Sequence, residues 1–403
     1  MSKIDDLIKE LCPDGVKFQE LGKVAKFCRG KSLSKAAIGT GDVPIILYGE
    51  LYTTYGNYIV DVVSYADYKT AIKGTEVVQG DIVMPITSTT KEAQIGKASA
   101  ILTDENIYLG GDAIALKHNQ EPGYLVHLLN SRWFESLKMC ERTGTTVSHL
   151  SPKGIAKIKI PIPPLEVQKE IVRVLDSFTE LEAELEAELE ARKKQYEHYR
   201  NTLLTFNERE RVIWKSMGEI GKISMCKRIM KSQTSRSGDI PFYKIGTFGK
   251  TADAYISREL YSDYKSNFPF PKKGDILLSA SGTIGRTVVY DGKPAYFQDS
   301  NIIWLENDES QVTNKFLYHL YKITTWQTEG GTIKRLYIDN FKRAKIPVPP
   351  LEKQKQIVSI LDKFEKLTND ISVGLPAEIE ARRKQYEYYR NKLLTFKELE
   401  RSK

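Results

Sequence analysis

The feature that most constrains this chain is that it is written twice. The stretch Ile160-Pro-Ile-Pro-Pro-Leu-Glu-Val-Gln-Lys-Glu-Ile171 returns as Ile346-Pro-Val-Pro-Pro-Leu-Glu-Lys-Gln-Lys-Gln-Ile357, 186 residues on. Ala191-Arg-Lys-Lys-Gln-Tyr-Glu-His-Tyr-Arg-Asn-Thr-Leu-Leu-Thr-Phe206 returns as Ala381-Arg-Arg-Lys-Gln-Tyr-Glu-Tyr-Tyr-Arg-Asn-Lys-Leu-Leu-Thr-Phe396, 190 residues on, so the second copy carries four extra residues. Upstream segments echo more faintly: Gly80-Asp-Ile-Val83 with Gly274-Asp-Ile-Leu277, Ile95-Gly-Lys97 with Ile284-Gly-Arg286, and Gly144-Thr145 with Gly331-Thr332. Self-similarity at a fixed interval marks a structural unit used more than once. The order is domain, helix, domain, helix.

The helices follow from periodicity. Past Pro163-Pro164, which forbid a helix continuing from upstream, apolar residues fall at Ile171, Leu175, Phe178, Leu185, Leu189, Tyr196, Tyr199 and Leu203. The second copy has Ile357, Leu361, Phe364, Ile371, Tyr386, Tyr389 and Leu393, with Leu375 and Ile379 in the same series. The alternation of three and four is a heptad seam, which needs a partner helix to cover it. Four added residues form a stutter. Gly374 and Pro376 lie within it, so a break is expected near 372–376, with Pro376 in the first turn of a restarted helix. Antiparallel pairing would set the acidic run Glu180 to Glu190 near Arg382, Arg383 and Lys384, and Arg192 to Lys194 near Glu365 and Asp370. The expected fold class is α+β: two similar mixed α/β domains, 1–164 and 212–350, separated by two long helices, 165–211 and 351–403. Those helices form an antiparallel coiled coil in a pseudo-twofold arrangement.

At 403 residues there is chain enough for such an arrangement, and 41% hydrophobic with 28% charged residues is an ordered, globular composition. The net charge of +8 suits an anionic partner without demanding one. Neither a signal-peptide pattern nor a membrane-length apolar run occurs, so a cytoplasmic location is expected. Cys12, Cys28, Cys140 and Cys226 stand far apart with no His at ligand spacing, so reduced thiols, rather than zinc or disulfides, are expected.

Two related domains on a stiff spacer place two similar surfaces at a set distance, and duplex DNA is a ligand that repeats its features at set intervals. The first long helix would run ~60 Å at ~1.5 Å per residue, more than the ~34–36 Å of one DNA turn. Within each domain, strands over Ile82 to Met84 and Ile276 to Leu278 lead into hydroxyl-rich loops. Short hydroxyl and basic side chains there can bond phosphates and base edges. The candidates are Thr87, Ser88, Thr89, Thr90, Lys91, Lys97 and Thr145 in the first domain. In the second they are Ser279, Ser281, Thr283, Arg286, Thr332, Lys334 and Arg335. The bland reading of these residues is an ordinary surface loop. His127 and His319, at matching places, read as packed helix residues. The matched strands carry loops of unequal length, which implies two different half-sites.

Catalytic machinery is missing from the sequence. There is no Asn-Pro or Asp-Pro dipeptide for an amino-methyltransferase loop and no Glu-x-Lys nuclease triplet. Gly30-Lys31-Ser32 resembles the end of a phosphate-binding loop, but Ala25 stands where its first glycine belongs. No catalytic or metal-ligating residues are expected. A coiled-coil scaffold that touches no nucleic acid is the competing reading, which a steep loss of DNA affinity with salt would exclude.

The two Ile-Pro-x-Pro-Pro-Leu-Glu blocks, the two Ala-Arg-[KR]-Lys-Gln-Tyr-Glu blocks and the opening Leu11-Cys-Pro-Asp-Gly-Val-Lys-Phe-Gln-Glu-Leu-Gly22 together resemble the specificity subunits of type I restriction–modification systems. The resemblance covers nearly the whole chain. It implies two target recognition domains joined by antiparallel helices, and a bipartite asymmetric DNA site with a nonspecific gap. It also implies two modification (methyltransferase) subunits acting on adenine N6, and added restriction (motor nuclease) subunits. No cofactor is expected on this chain; S-adenosylmethionine, ATP and Mg are expected on the partners.

Overall fold

A Pro-Pro pair stands before each long helix, where the fixed φ of the second proline suits the residue ahead of a first helical turn. A computed structural model of the protein describes residues 2–31, 33, 35–89, 94–144, 147–206, 212–330 and 334–399. The central helix, Leu165–Leu204, runs 40 residues without a break. The chain packs as two compact units, Met1–Glu186 with Glu378–Lys403, and Ala187–Ala377. Each unit thus holds one α/β domain and parts of both helical segments.

In the first unit, Ala25–Arg29, Ala113–His118, Ile82–Pro85, Ser99–Ile101 and Tyr58–Ile59 form a five-stranded sheet in that order. Its strand Ile82–Pro85 is buried at every position, as a strand covered on both faces must be. A three-stranded sheet, Arg142–Thr143, Ser148–Leu150 and Thr87–Ser88, continues from its end. Helix Pro122–Leu129 packs over the large sheet and presents His127, fully buried, to the central helix. His127 Nε2 lies 2.8 Å from Asp176 Oδ1, and its Nδ1 lies 3.0 Å from the Tyr386 hydroxyl. One imidazole therefore joins three segments, and its role is packing.

The second unit repeats the plan with a four-stranded sheet: Lys222–Ser224, Ile302–Glu306, Ile276–Ser279 and Thr287–Val289. Helix Asn314–Tyr321 takes the covering place, and His319 Nε2 sits 2.8 Å from Asp362 Oδ1. The repeated glutamine of the proline block has the same task in both units. Gln168 Nε2 donates to the Pro163 carbonyl at 2.8 Å while its Oε1 accepts from Glu121 N at 3.0 Å. Gln354 Nε2 donates to the Pro349 and Gln311 carbonyls at 2.8 and 2.9 Å, and its Oε1 accepts from Thr313 N at 2.8 Å. Each buried amide ties a proline turn to the strand–helix connection beside it.

The helical seam is filled within each unit. In the first, Ile171, Leu175 and Leu393 are buried, and Phe178 stacks on Tyr389 with ring centroids 5.3 Å apart while Tyr386 packs on the same core. Arg383 bonds both Glu182 and Glu186, so the contacts descend one helix as they climb the other, the antiparallel order. In the second unit Ile357 and Leu361 are buried, Leu203 is half-buried, and Tyr196 and Tyr199 both stack on Phe364. Leu185 and Leu189 are half-buried.

Two expectations need correction. The second helical segment breaks between Leu351–Asn369 and Leu375–Leu394, so Pro376 does fall in a first turn, but Ile371 lies in the break and is 85% exposed. It is no part of the seam. Asp370 accounts for this by accepting from Ser372 N and Val373 N, a side-chain turn that competes with helix continuation. Arg192 and Lys193 pair within their own helix, with Glu188 and Glu190, rather than with Glu365. Glu365 is taken by Lys322 and the Tyr318 hydroxyl.

Candidate nucleic-acid interface

The buried strand of each large sheet runs on past its last ladder pair, and the polar corner it reaches is the candidate site. In the second unit, Ala280 N donates to the Asn301 carbonyl at 2.7 Å and the Ala280 carbonyl accepts from Leu336 N at 2.9 Å. Ser281 then faces Arg335 across an antiparallel bridge. The Ser281 hydroxyl donates to Asn301 Oδ1 at 2.8 Å, and Arg335 Nη2 donates to the same oxygen at 2.8 Å and to Ser300 Oγ at 3.2 Å.

Ser281, Ser300, Asn301 and Arg335 line a cavity of about 830 Å³ together with Arg228, Lys231 and Lys244. Four cations against one lining acid, Asp299, make it electropositive. Arg228 is answered by Asp299 and Lys244 by Asp253, each at 2.8 Å, whereas Arg335 has no carboxylate partner among the described residues. A half-buried guanidinium held by neutral oxygens keeps its full charge and several donors for a ligand.

The first unit builds the same frame from other side chains. Ile86 N donates to the Asp112 carbonyl and Leu150 N donates to the Ile86 carbonyl, both at 2.9 Å. Thr87, 7% exposed, pairs across the strands with exposed His149. The Thr87 hydroxyl donates to Asp112 Oδ1 at 3.1 Å and lies 3.1 Å from His149 Nδ1. Tyr52 fixes the strand from the other side by donating to the Thr87 carbonyl at 2.8 Å, and burial pushes its phenol well above the ordinary range. By backbone bonding, Thr87, Asp112 and His149 correspond to Ser281, Asn301 and Arg335.

The remaining candidates scatter. Ser88 is buried in the strand and Thr89 is exposed beyond it; Thr90, Lys91, Thr145 and Thr332 lie outside the described residues. Lys97 is tied into the fold, its ammonium donating to the Tyr55 carbonyl at 2.6 Å and its pKa lowered by burial. Ser279 closes a turn, bonding the Thr283 carbonyl and accepting from Arg286 N at 2.9 Å, while Arg286 Nη1 holds the Phe248 carbonyl at 3.0 Å. Thr283 and Lys334 are exposed. Asp112, His149, Asn301, Arg228, Lys231 and Lys244 escaped the sequence reading. Aligning Asp112-Ala-Ile114 with Asn301-Ile-Ile303, and His149-Leu150 with Arg335-Leu336, would have found the first three.

The only cluster of three His, Cys, Asp or Glu groups within metal-holding distance among the described residues is His319, Asp362 and Glu365, and its carboxylates already take Lys315, Lys322 and Tyr318. All four cysteines are free thiols, and no helix among the described residues is long and apolar enough to cross a membrane.

The family model for the type I restriction modification DNA specificity domain matches twice, over residues 13–191 and 212–381. A Haemophilus influenzae protein named as a type I restriction enzyme specificity subunit, S.HindORF215P, is 58% identical over 262 residues, which is 63% of this chain and 68% of that one. The EcoR124I/EcoR124II specificity subunit of Escherichia coli is 37% identical over 271 residues, 62% of this chain and 65% of that one. The fold is shared with a type I restriction–modification S subunit from M. genitalium, at a TM-score of 0.53 and 15% identity over 94% of this chain and 96% of that one. With both copies of the repeat matched in turn, the chain belongs to the type I restriction modification DNA specificity family, as a specificity subunit and not a catalytic one.

Proposed function

We propose that this chain reads a split, asymmetric duplex DNA site, one half-site per domain, and so directs two modification subunits and their attached restriction subunits to it. One observation carries the reading. The same corner of each domain has one backbone frame and two different side-chain sets, Thr87–Asp112–His149 and Ser281–Asn301–Arg335. A common frame with unlike hydrogen-bonding groups suits two half-sites of unlike sequence, since bases are told apart by donor and acceptor patterns. The cation-lined cavity beside the second set suits a ligand rich in phosphate and acceptor atoms. S-adenosylmethionine, ATP and Mg act on the partner subunits; this chain supplies recognition.

Mapping methylated adenines in cells with and without this gene tests the proposal. One bipartite motif should lose its methylation when the gene is removed. Retention of every methylated motif would refute it. Replacing 87–91 should alter recognition of one half-site in a gel-shift comparison and spare the other.

A further inference from the structure

We infer that His149 and Arg335 are the matched base-reading side chains of the two domains, and that they read with opposite hydrogen-bond polarity. The inference rests on the DNA-reading function proposed above and adds the residues and the base groups they meet.

The polarity follows from the partners. Asp112 as a carboxylate can only accept, so the proton of the Thr87 hydroxyl goes to its Oδ1, 3.1 Å away. The Thr87 oxygen then has only lone pairs left for His149 Nδ1 at 3.1 Å, so Nδ1 carries the ring proton. In the neutral imidazole this leaves Nε2 as an acceptor, on a side chain that is exposed. An acceptor reads a donor, and in the major groove the donors are the amino groups of adenine N6 and cytosine N4.

The second domain inverts this. Asn301 Oδ1 accepts from both Ser281 and Arg335 and so fixes the guanidinium by Nη2. Nε and Nη1 have no partner among the described residues. Nε and Nη1 point from different edges of the guanidinium, and it is the two hydrogens of Nη1 that are left to be shared between the O6 and N7 acceptors of guanine. Asp112 and Asn301 are positioning residues: each accepts through Oδ1 and so orients its neighbours, while the imidazole of His149 or the guanidinium of Arg335 sets the polarity the corner presents.

The test uses the full chain assembled with its modification subunits and a selection from randomised duplexes. Arg335→Ala should relax one guanine position in one half-site by about 5- to 150-fold, the span of a lost bidentate contact, and leave the other half-site unchanged. Arg335→Lys should keep overall affinity and still lose that discrimination, which separates reading from folding. Replacing that guanine by 7-deazaguanine, which lacks N7, should weaken the unsubstituted complex but add little to Arg335→Ala. In the other half-site, His149→Ala should be insensitive to a base stripped of its amino group, while the unsubstituted complex is weakened by it. Uniform loss across all sequences with a flatter salt dependence would make Arg335 a phosphate contact. That would overturn the inference while the two selected half-sites kept the proposed function standing. If the unsubstituted complex selected no sequence, the proposed function itself would fall.

Discussion

Replacing Gln354 by leucine should cost the protein more stability than any surface change, and more than the same replacement at Gln168. Gln354 is fully buried and makes three hydrogen bonds, to the Pro349 carbonyl, the Gln311 carbonyl and Thr313 N. Leucine has similar bulk and none of these groups, so all three backbone partners lose their bond. An orphaned buried group costs about 1–3 kcal/mol. The Pro349 bond is buried and the other two are partly buried. Allowing the full range for the first and half for the others, the loss is about 2–6 kcal/mol. Gln168 holds one buried carbonyl, of Pro163, and one partly buried amide, of Glu121. Its third partner is the Gln120 side chain, which can turn to water, so Gln168→Leu should cost about 1.5–4.5 kcal/mol. Urea unfolding of the full chain followed by fluorescence and circular dichroism measures both, and hydrogen exchange at the Thr313 amide should speed up in Gln354→Leu alone. A loss under about 1 kcal/mol with Thr313 protection intact would refute the reasoning.

The break in the second helical segment predicts that Ile371→Ser leaves the unfolding midpoint unchanged, because that side chain is already in solvent. Leu361→Ala, fully buried in the same segment, should cost about 2–5 kcal/mol; comparable losses at both sites would argue for a continuous seam. Burial pushes His319 below its ordinary value of 6.5, against the opposing pull of Asp362, so the unfolded chain takes up the proton at a higher pH than the folded one. Stability should therefore fall as the pH drops through 6.5 towards the folded-state value. His319→Gln should flatten that part of the pH profile, and an unchanged slope in urea titrations would count against it.

The repeat, the two Pro-Pro starts and the seam were all legible in the residues because each is local: a heptad needs only neighbours on one helix to announce itself. Counting heptads placed Ile371 in the series, yet counting does not show where the backbone leaves the helix. Asp370 decided that by bonding two amides just beyond it. Loop chemistry led to the two corners that share one backbone frame, at Thr87 and Ser281, and also swept in Lys97, Ser279 and Arg286, whose polar atoms the fold itself consumes.

The amino-acid order alone determined that there would be two related α/β domains and long apolar-striped helices, since period and repetition survive without any knowledge of distant contacts. Only the tertiary structure decided which polar groups meet. Asp112 and His149 stand 25 and 62 residues from Thr87, and antiparallel strand pairing in one register brings them to a single hydroxyl. Hydrogen bonds form over about 3 Å whatever the separation along the chain, so the chemistry of each corner depends on register, which no local pattern encodes.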